Sequence, residues 1–188
     1  MAKTEIFKES IIIDSLQNPE LNKEILKVLK ESKKGQGVFK SNFGGFQTNT
    51  IENQLIAETI LKQSIKCITD NYQSKIKKIK FELLNMWINE NLKNSFNIPH
   101  VHPGSHFSGV YYIETTKKNG ELIFFKDGGS SLINLGDFFN YDDSNFYKIK
   151  PQKDMFILFP SSLKHMVTPH SENGKRISIS FNIKLSNG

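Results

Sequence analysis

The spacing of hydrophobic residues changes period near residue 75, and that change sets the expected architecture. Residues 5–13, Glu5 to Ile13, read as a strand. Asn18-Pro19 then opens a helix, with Asn as N-cap and Pro at the first helical position. Leu21, Ile25, Val28 and Leu29 form one apolar stripe, and Gly35 closes the segment behind Lys33-Lys34. Gly35, Gly37, Gly44 and Gly45 make residues 35–50 a loop, and their spacing fits no phosphate-binding glycine motif. A second helix is expected over 53–74, where Ala57, Leu61, Ile65, Ile68 and Tyr72 recur at helical spacing with Cys67 beside the stripe.

From residue 76 the period becomes that of strands. Ile79, Phe81, Leu83 and Trp87 alternate with other residues, and short apolar runs follow at Phe107–Ile113, Leu122–Phe125, Phe146–Ile149, Phe156–Phe159 and Ile177–Leu185. Pro103-Gly104, Asn119-Gly120, Asp127-Gly128-Gly129 and Asn173-Gly174 punctuate them. Many short strands separated by turn residues predict a sandwich, barrel or jelly roll, here with two helices packed outside one sheet. The final strand alternates most cleanly. Ile177, Ile179, Phe181, Ile183 and Leu185 share one face, and Arg176, Ser178, Ser180, Asn182 and Lys184 share the other. That polar face lies either in solvent or inside a polar cavity.

Composition narrows the class. A 188-residue chain that is 37% hydrophobic has about 70 apolar residues, enough for a core without disulfide or metal staples. Its single cysteine, Cys67, cannot form an intrachain disulfide and reads as a structural thiol. The first residues lack the apolar segment of a signal peptide, and no apolar run is long enough for a membrane span, so a reduced, cytoplasmic location is expected. The net charge of +6 is spread over scattered lysines, which does not indicate a nucleic-acid surface.

Histidine changes the picture. All five lie from residue 100 onward: His100, His102, His106, His165 and His170. In an extended strand, His100 and His102 project from the same face and can reach one metal. His165, after the Phe156–Phe159 strand and Pro160, is a candidate third ligand. Three ligands on one side of a metal leave open positions for substrate and oxygen, as in non-haem Fe(II) oxygenases. The plainer alternative makes His100 and His102 ordinary loop histidines beside Pro99 and Pro103. Arg176 with Ser178 could hold an anion, since guanidinium clamps carboxylate through two parallel hydrogen bonds. Asn173-Gly174 would turn a hairpin between the His165 strand and the Arg176 strand.

In combination these segments resemble a known family. They are Trp87-Ile88-Asn89, His100-Val101-His102-Pro103-Gly104-Ser105, Ser108-Gly109-Val110-Tyr111-Tyr112-Ile113, Gly120-Glu121-Leu122-Ile123-Phe124, Phe159 to His165 and Arg176 to Asn182. Together with Lys40-Ser41-Asn42-Phe43-Gly44-Gly45-Phe46-Gln47-Thr48 they resemble the Fe(II)/2-oxoglutarate-dependent oxygenases of marine bacteria and their phages, distant relatives of prolyl hydroxylases. The resemblance spans roughly residues 5–185. It implies a mainly β double-stranded β-helix, or jelly roll, with helices outside the major sheet. The whole chain, 1–188, would be one domain, a strand and helical buttress over 1–75 and the β-helix core over 76–188.

The resemblance also implies roles. His100 and His165 match iron ligands, and His102 stands where the broader family has an acid. Arg176 matches the clamp on the far carboxylate of 2-oxoglutarate, Ser178 its hydroxyl partner, and Tyr112 a tyrosine touching the same carboxylate. Asn89 matches a residue near the co-substrate's other end. Fe(II), 2-oxoglutarate and O2 would then be required, and a substrate of unidentified class would be hydroxylated with release of succinate and CO2. If His102 is not a ligand, an anion takes its place as in a halogenase, or His106 substitutes. His170 is expected at the surface. A cupin-type metalloenzyme without keto acid and a non-catalytic jelly roll are the alternatives.

Overall fold

The computed structural model describes residues 9–76, 78–126 and 145–188. The elements are β1 (Ile12–Ser15), α1 (Pro19–Ser32), β2 (Asn42–Phe43), β3 (Phe46–Gln47), α2 (Gln54–Asn71), β4 (Ile79–Asn91), β5 (Phe96–His100), β6 (Phe107–Glu114), β7 (Leu122–Phe125), β8 (Phe146–Ile149), β9 (Met155–Pro160), β10 (His165–Val167) and β11 (Arg176–Asn187). They build two antiparallel sheets, a major one in the order β1-β9-β6-β11-β4-β3 and a minor one in the order β2-β5-β10-β7-β8. Among the described residues no helix is long and apolar enough to cross a membrane.

Both helices begin where their caps place them. Asn18 Oδ1 accepts from the Leu21 amide at 3.0 Å, and Asn53 Oδ1 from the Ile56 amide at 3.1 Å, satisfying donors that the first turn leaves free. Helix α1 buries Leu21, Ile25 and Leu29 as its stripe predicts, but it ends at Ser32, ahead of Gly35. The buried face of α2 differs from expectation. It is Ile56, Ile60, Ser64, Cys67 and Ile68, rotated by about one residue from the Ala57–Leu61–Ile65 stripe. The helix also stops at Asn71 rather than 74. Polar Ser64 sits within the true stripe because its hydroxyl donates to the Ile60 carbonyl at 2.7 Å. Cys67 is buried in this core, and burial pushes its thiol up to about 11, which fits an inert structural thiol.

The helices pack on the major sheet through Met86, Ile88, Ile177, Ile179, Phe181 and Ile183. The opposite face of β11 therefore looks toward the minor sheet. One register shift matters for everything inside. Asn182 pairs with Asn85 but Ile183 with Leu83, so β4 carries one extra residue at Leu84. A bulge of this kind reverses which residues face inward. Leu83 and Met86 thus both face the helices, and Trp87, expected on the same face as Leu83, turns inward instead.

Several other expectations are corrected. The first strand is β1 at Ile12–Ser15; residues 9–11 are not in a strand, and 5–8 lie outside the described residues. The turn at Asp127-Gly128-Gly129 also lies outside them. The 35–50 loop contains two short strands, and they join different sheets: β2 pairs with β5 and β3 with β4. Gly44 between them has φ +68°, and a Cβ on Gly45 would lie 2.8 Å from the Glu90 carbonyl oxygen. Only glycine meets both demands cheaply.

Candidate metal centre and its cavity

Three imidazoles converge between the sheets. His100 ends β5 and His165 begins β10, and the two are register partners on adjacent strands. His102 lies beyond the end of β5, so the expected strand alternation does not place it. Its amide donates to the Ser161 carbonyl at 3.0 Å, and its own carbonyl accepts from Ser105 Oγ at 3.0 Å. One ring nitrogen from each of His100, His102 and His165 lies within 4.8 Å of the others. His102 Nε2 and His165 Nε2 are 3.3 Å apart.

The tautomers favour a cation. His100 Nδ1 lies 2.7 Å from the Ile98 carbonyl and His165 Nδ1 2.9 Å from the Leu163 carbonyl. A carbonyl can only accept, so both Nδ1 atoms carry the proton and both Nε2 lone pairs are free. Burial lowers all three rings, and the neighbouring His100 adds to the effect on the other two. His102 falls to about 4 and His165 to about 3. Near neutral pH the cluster is uncharged, which is the state that ligates metal. Trp87 and Phe159 pack against it, with ring centroids 5.8 Å from His102 and 4.7 Å from His165.

The cluster opens into a cavity of about 60 Å³ walled by the inner face of the major sheet. Register aligns the polar wall. Ser178 on β11 pairs with Tyr112 on β6 and with Asn89 on β4, and Asn89 pairs with Gln47 on β3. Paired residues project from one face, so Tyr112, Ser178, Asn89 and Gln47 form a row across four strands. Arg176 lies two residues further along β11 and is 2% exposed. Its Nη1 donates to the Asn119 carbonyl at 2.6 Å, and among the described residues it has no carboxylate partner. The hydroxyls of Tyr112 and Ser178 have no hydrogen-bond partner there either. Burial pushes the Tyr112 phenol up to about 12 against the pull of Arg176, so it stays a donor.

All seven residues singled out in the sequence (His100, His102, His165, Arg176, Ser178, Tyr112 and Asn89) therefore line this one cavity. The route between two of them is not the expected hairpin. β10 and β11 belong to different sheets, so Asn173-Gly174 lies in a crossover and Arg176 faces the histidines across the cavity. His106 stays outside the cluster, its Nδ1 accepting from the Leu185 amide at 3.1 Å. His170 is fully buried rather than on the surface. Sequence reasoning passed over Gly109 and Ser41, which also line the cavity. Both lie in segments that carry the resemblance, Ser108–Ile113 and Lys40–Thr48, but the tight contact of Gly109 with Phe181 gives no signal in a single sequence.

A double-stranded β-helix that brings three imidazoles together defines a jelly roll with a candidate metal site, and comparison narrows it. Residues 85–182, just over half of the chain, match the model of a family described as "Putative 2OG-Fe(II) oxygenase". The chain belongs to this family of 2OG-Fe(II) oxygenases, which use Fe(II), 2-oxoglutarate and O2. Its fold is similar to that of a Pseudomonas putida prolyl-4-hydroxylase, with 11% identity over 94% of this chain and 92% of that one and a TM-score of 0.61. It is also similar to HygX from Streptomyces hygroscopicus with iron bound, with 9% identity over 94% of this chain and 82% of that one and a TM-score of 0.63. HygX is also known with nickel and 2-oxoglutarate bound. Of an oxidoreductase of the 2OG-Fe(II) oxygenase family from Burkholderia pseudomallei the chain spans 46% of the length, aligning over 58% of its own residues at 19% identity with a TM-score of 0.46. No curated protein matches the sequence at a significant level.

Proposed function

We propose that the protein hydroxylates a substrate at the mouth of this cavity, with Fe(II) on His100, His102 and His165 and 2-oxoglutarate in the cavity itself. The observation that carries the reading is Arg176, a buried guanidinium with no counter-charge among the described residues, in the same cavity as three neutral imidazoles. An uncompensated buried charge is strongly unfavourable. A dicarboxylate ligand removes that penalty and also gives the Ser178 and Tyr112 hydroxyls an acceptor.

The residues fit both groups. Imidazole nitrogens suit iron, and three of them leave positions open on the opposite side. They also leave the metal without a carboxylate's negative charge, which weakens its retention relative to a His₂-carboxylate site. Asn89 supports the keto acid's inner end. Its Nδ2 lies 3.2 Å from Ser180 Oγ, while its Oδ1 is buried without a partner. Turning the amide by 180° lets the Ser180 hydroxyl donate to Oδ1 and points the NH₂ into the cavity, where it donates to an anionic ligand.

Bound there, Fe(II) and 2-oxoglutarate supply activation of O2, with the keto acid leaving as succinate and CO2 and one oxygen atom entering the substrate as a hydroxyl. The chain's own work is to anchor the co-substrate through Arg176, orient it through Asn89 and exclude water with Val110, Leu122 and Phe159. The test is an anaerobic titration of the Fe(II)-loaded protein with 2-oxoglutarate. A weak visible charge-transfer band from the bidentate keto acid is expected, followed by succinate release on admitting O2. A protein that binds Fe(II) but shows no band, and no change in melting temperature with 2-oxoglutarate, overturns the reading.

A further inference from the structure

Outside the histidine cluster the cavity opens into a second, larger cleft of about 460 Å³ that shares Ser41, Trp87, His100 and His102 with it. That volume is in the range of small-molecule sites. Its outer wall comes from residues 38–50, the segment between α1 and α2.

The wall is one-sided in charge: it carries free hydrogen-bond donors and a lysine, and no acidic side chain among the described residues. Gln47 ends the inward-facing row on β3, is 4% exposed, and its carboxamide has no hydrogen-bond partner among the described residues. Asn85 is oriented by a relay: Ser108 Oγ donates to Asn182 Oδ1 at 2.7 Å, and Asn182 Nδ2 donates to Asn85 Oδ1 at 2.8 Å. This order leaves the NH₂ of Asn85 as the free donor. The Trp87 indole N–H, turned inward by the bulge at Leu84, has no acceptor among the described residues. Lys40, at the rim, makes no ion pair among them. Against these donors stands no carboxylate: among the described residues neither the cavity nor the cleft is lined by Asp or Glu. The nearby buried acid Glu90 points to the other side of β4 and is held by Lys33 and Lys175.

We infer that the outer cleft selects an acceptor-rich primary substrate carrying carbonyl or carboxylate groups and no cationic group. Gln47 and Asn85 read its carbonyl oxygens and Lys40 favours its negative charge. This rests on the oxygenase reading for the placement of the metal, but its chemistry is independent of turnover. An ammonium in the cleft would lose its hydration, find no carboxylate and meet the Lys40 charge, which is how a site rejects a ligand.

The test uses the protein loaded with Zn(II) and 2-oxoglutarate and three matched probes: N-acetylalanine (anionic), N-acetylalaninamide (neutral) and alaninamide (cationic). Binding is read by ligand-observed NMR. The expected order is anionic, then neutral, with the cationic probe at least about tenfold weaker. Gln47→Leu should weaken the neutral probe roughly three- to tenfold, the effect of one lost hydrogen bond, and Lys40→Ala should remove the preference for anionic over neutral. The wild-type charge series alone decides the matter if a variant fails to fold. Equal responses from all three probes, no response from any, or a preference for alaninamide overturns the inference. A protein that takes up neither metal nor 2-oxoglutarate yet keeps the charge series would overturn the oxygenase reading and leave this one standing.

Discussion

Replacing Arg176 with methionine keeps most of the side chain's apolar volume and removes its charge. In the free protein two effects oppose each other. The substitution relieves the burial of an uncompensated guanidinium, and it strips the Asn119 carbonyl of its 2.6 Å hydrogen bond. The second effect costs about 1–3 kcal/mol, and the first returns an amount of similar size. The melting temperature without ligand should therefore shift by less than about 5 °C, since 1 kcal/mol is worth about 2–4 °C in a chain of this length. With ligand the outcome is large. Truncating one partner of a buried charge pair costs about 2–5 kcal/mol, which is roughly a 30-fold to several-thousand-fold loss of affinity for 2-oxoglutarate. Wild type held at about 100 times its dissociation constant gains about 2.7 kcal/mol, or roughly 5–11 °C; the variant at the same concentration should gain less than about 1 kcal/mol, or under about 4 °C. Calorimetric titration and thermal melts with Zn(II) in place of Fe(II) measure both quantities. Metal affinity should be unchanged, and preference should move toward pyruvate, which has no distal carboxylate to leave unpaired. Unchanged 2-oxoglutarate affinity in Arg176→Met would place the co-substrate elsewhere and refute the reasoning.

Three further outcomes are expected. His165→Ala should abolish stoichiometric Fe(II) binding, while His102→Asp should retain it; metal analysis after gel filtration decides, and iron retained by His165→Ala would remove the ligand set. Glu90→Gln tests the ion pairs that tie α1 and the start of β11 to β4. Burial alone would raise the Glu90 carboxyl, but its hydrogen bonds from Lys33 and Lys175 hold it below the usual value of 4.5. Its stabilisation is therefore complete above that value and lost as the pH falls through the lower folded value, so the variant should be less stable by roughly 1–2 kcal/mol at pH 7 and match wild type in strong acid. A deficit that persists undiminished in acid melts would show that the loss is one of packing. Gly109→Ala should destabilise by about 1–3 kcal/mol or more, because its Cβ would lie 2.2 Å from Phe181 Cζ and 2.8 Å from the Ile157 carbonyl oxygen; an unaltered melting temperature would contradict the packing described.

The cavity and the cleft differ in how far they could be read from the chain, and the difference is physical. Arg176, Ser178 and Ser180 stand on a strand whose other face packs on helices, so the alternation Arg-Ile-Ser-Ile-Ser-Phe-Asn exposes the inward set directly. His100 and His165 are found because histidine is rare and the two flank recognisable strands. The α2 face departs from the expected stripe because two apolar stripes overlap on that helix. The buried one contains Ser64, whose polarity is neutralised by a bond to its own helix. The outer cleft depends on irregular backbone throughout. The bulge falls on Leu84, the second of two adjacent leucines, and leaves no mark in the hydrophobic pattern, yet it turns Trp87 and Asn85 inward. Gln47 reaches the inward row through a strand of two residues, too short for any periodicity to register. The β11–β4 ladder carries Arg176, Ser178 and Asn89 in unbroken register, whereas a bulge further along β4 and a two-residue strand build the wall that faces the substrate. Irregular backbone can aim a new side chain into the cleft without disturbing the ladder that holds the metal, and substitutions at Lys40, Gln47 and Asn85 are accordingly where substrate choice can change while metal and co-substrate binding stay intact.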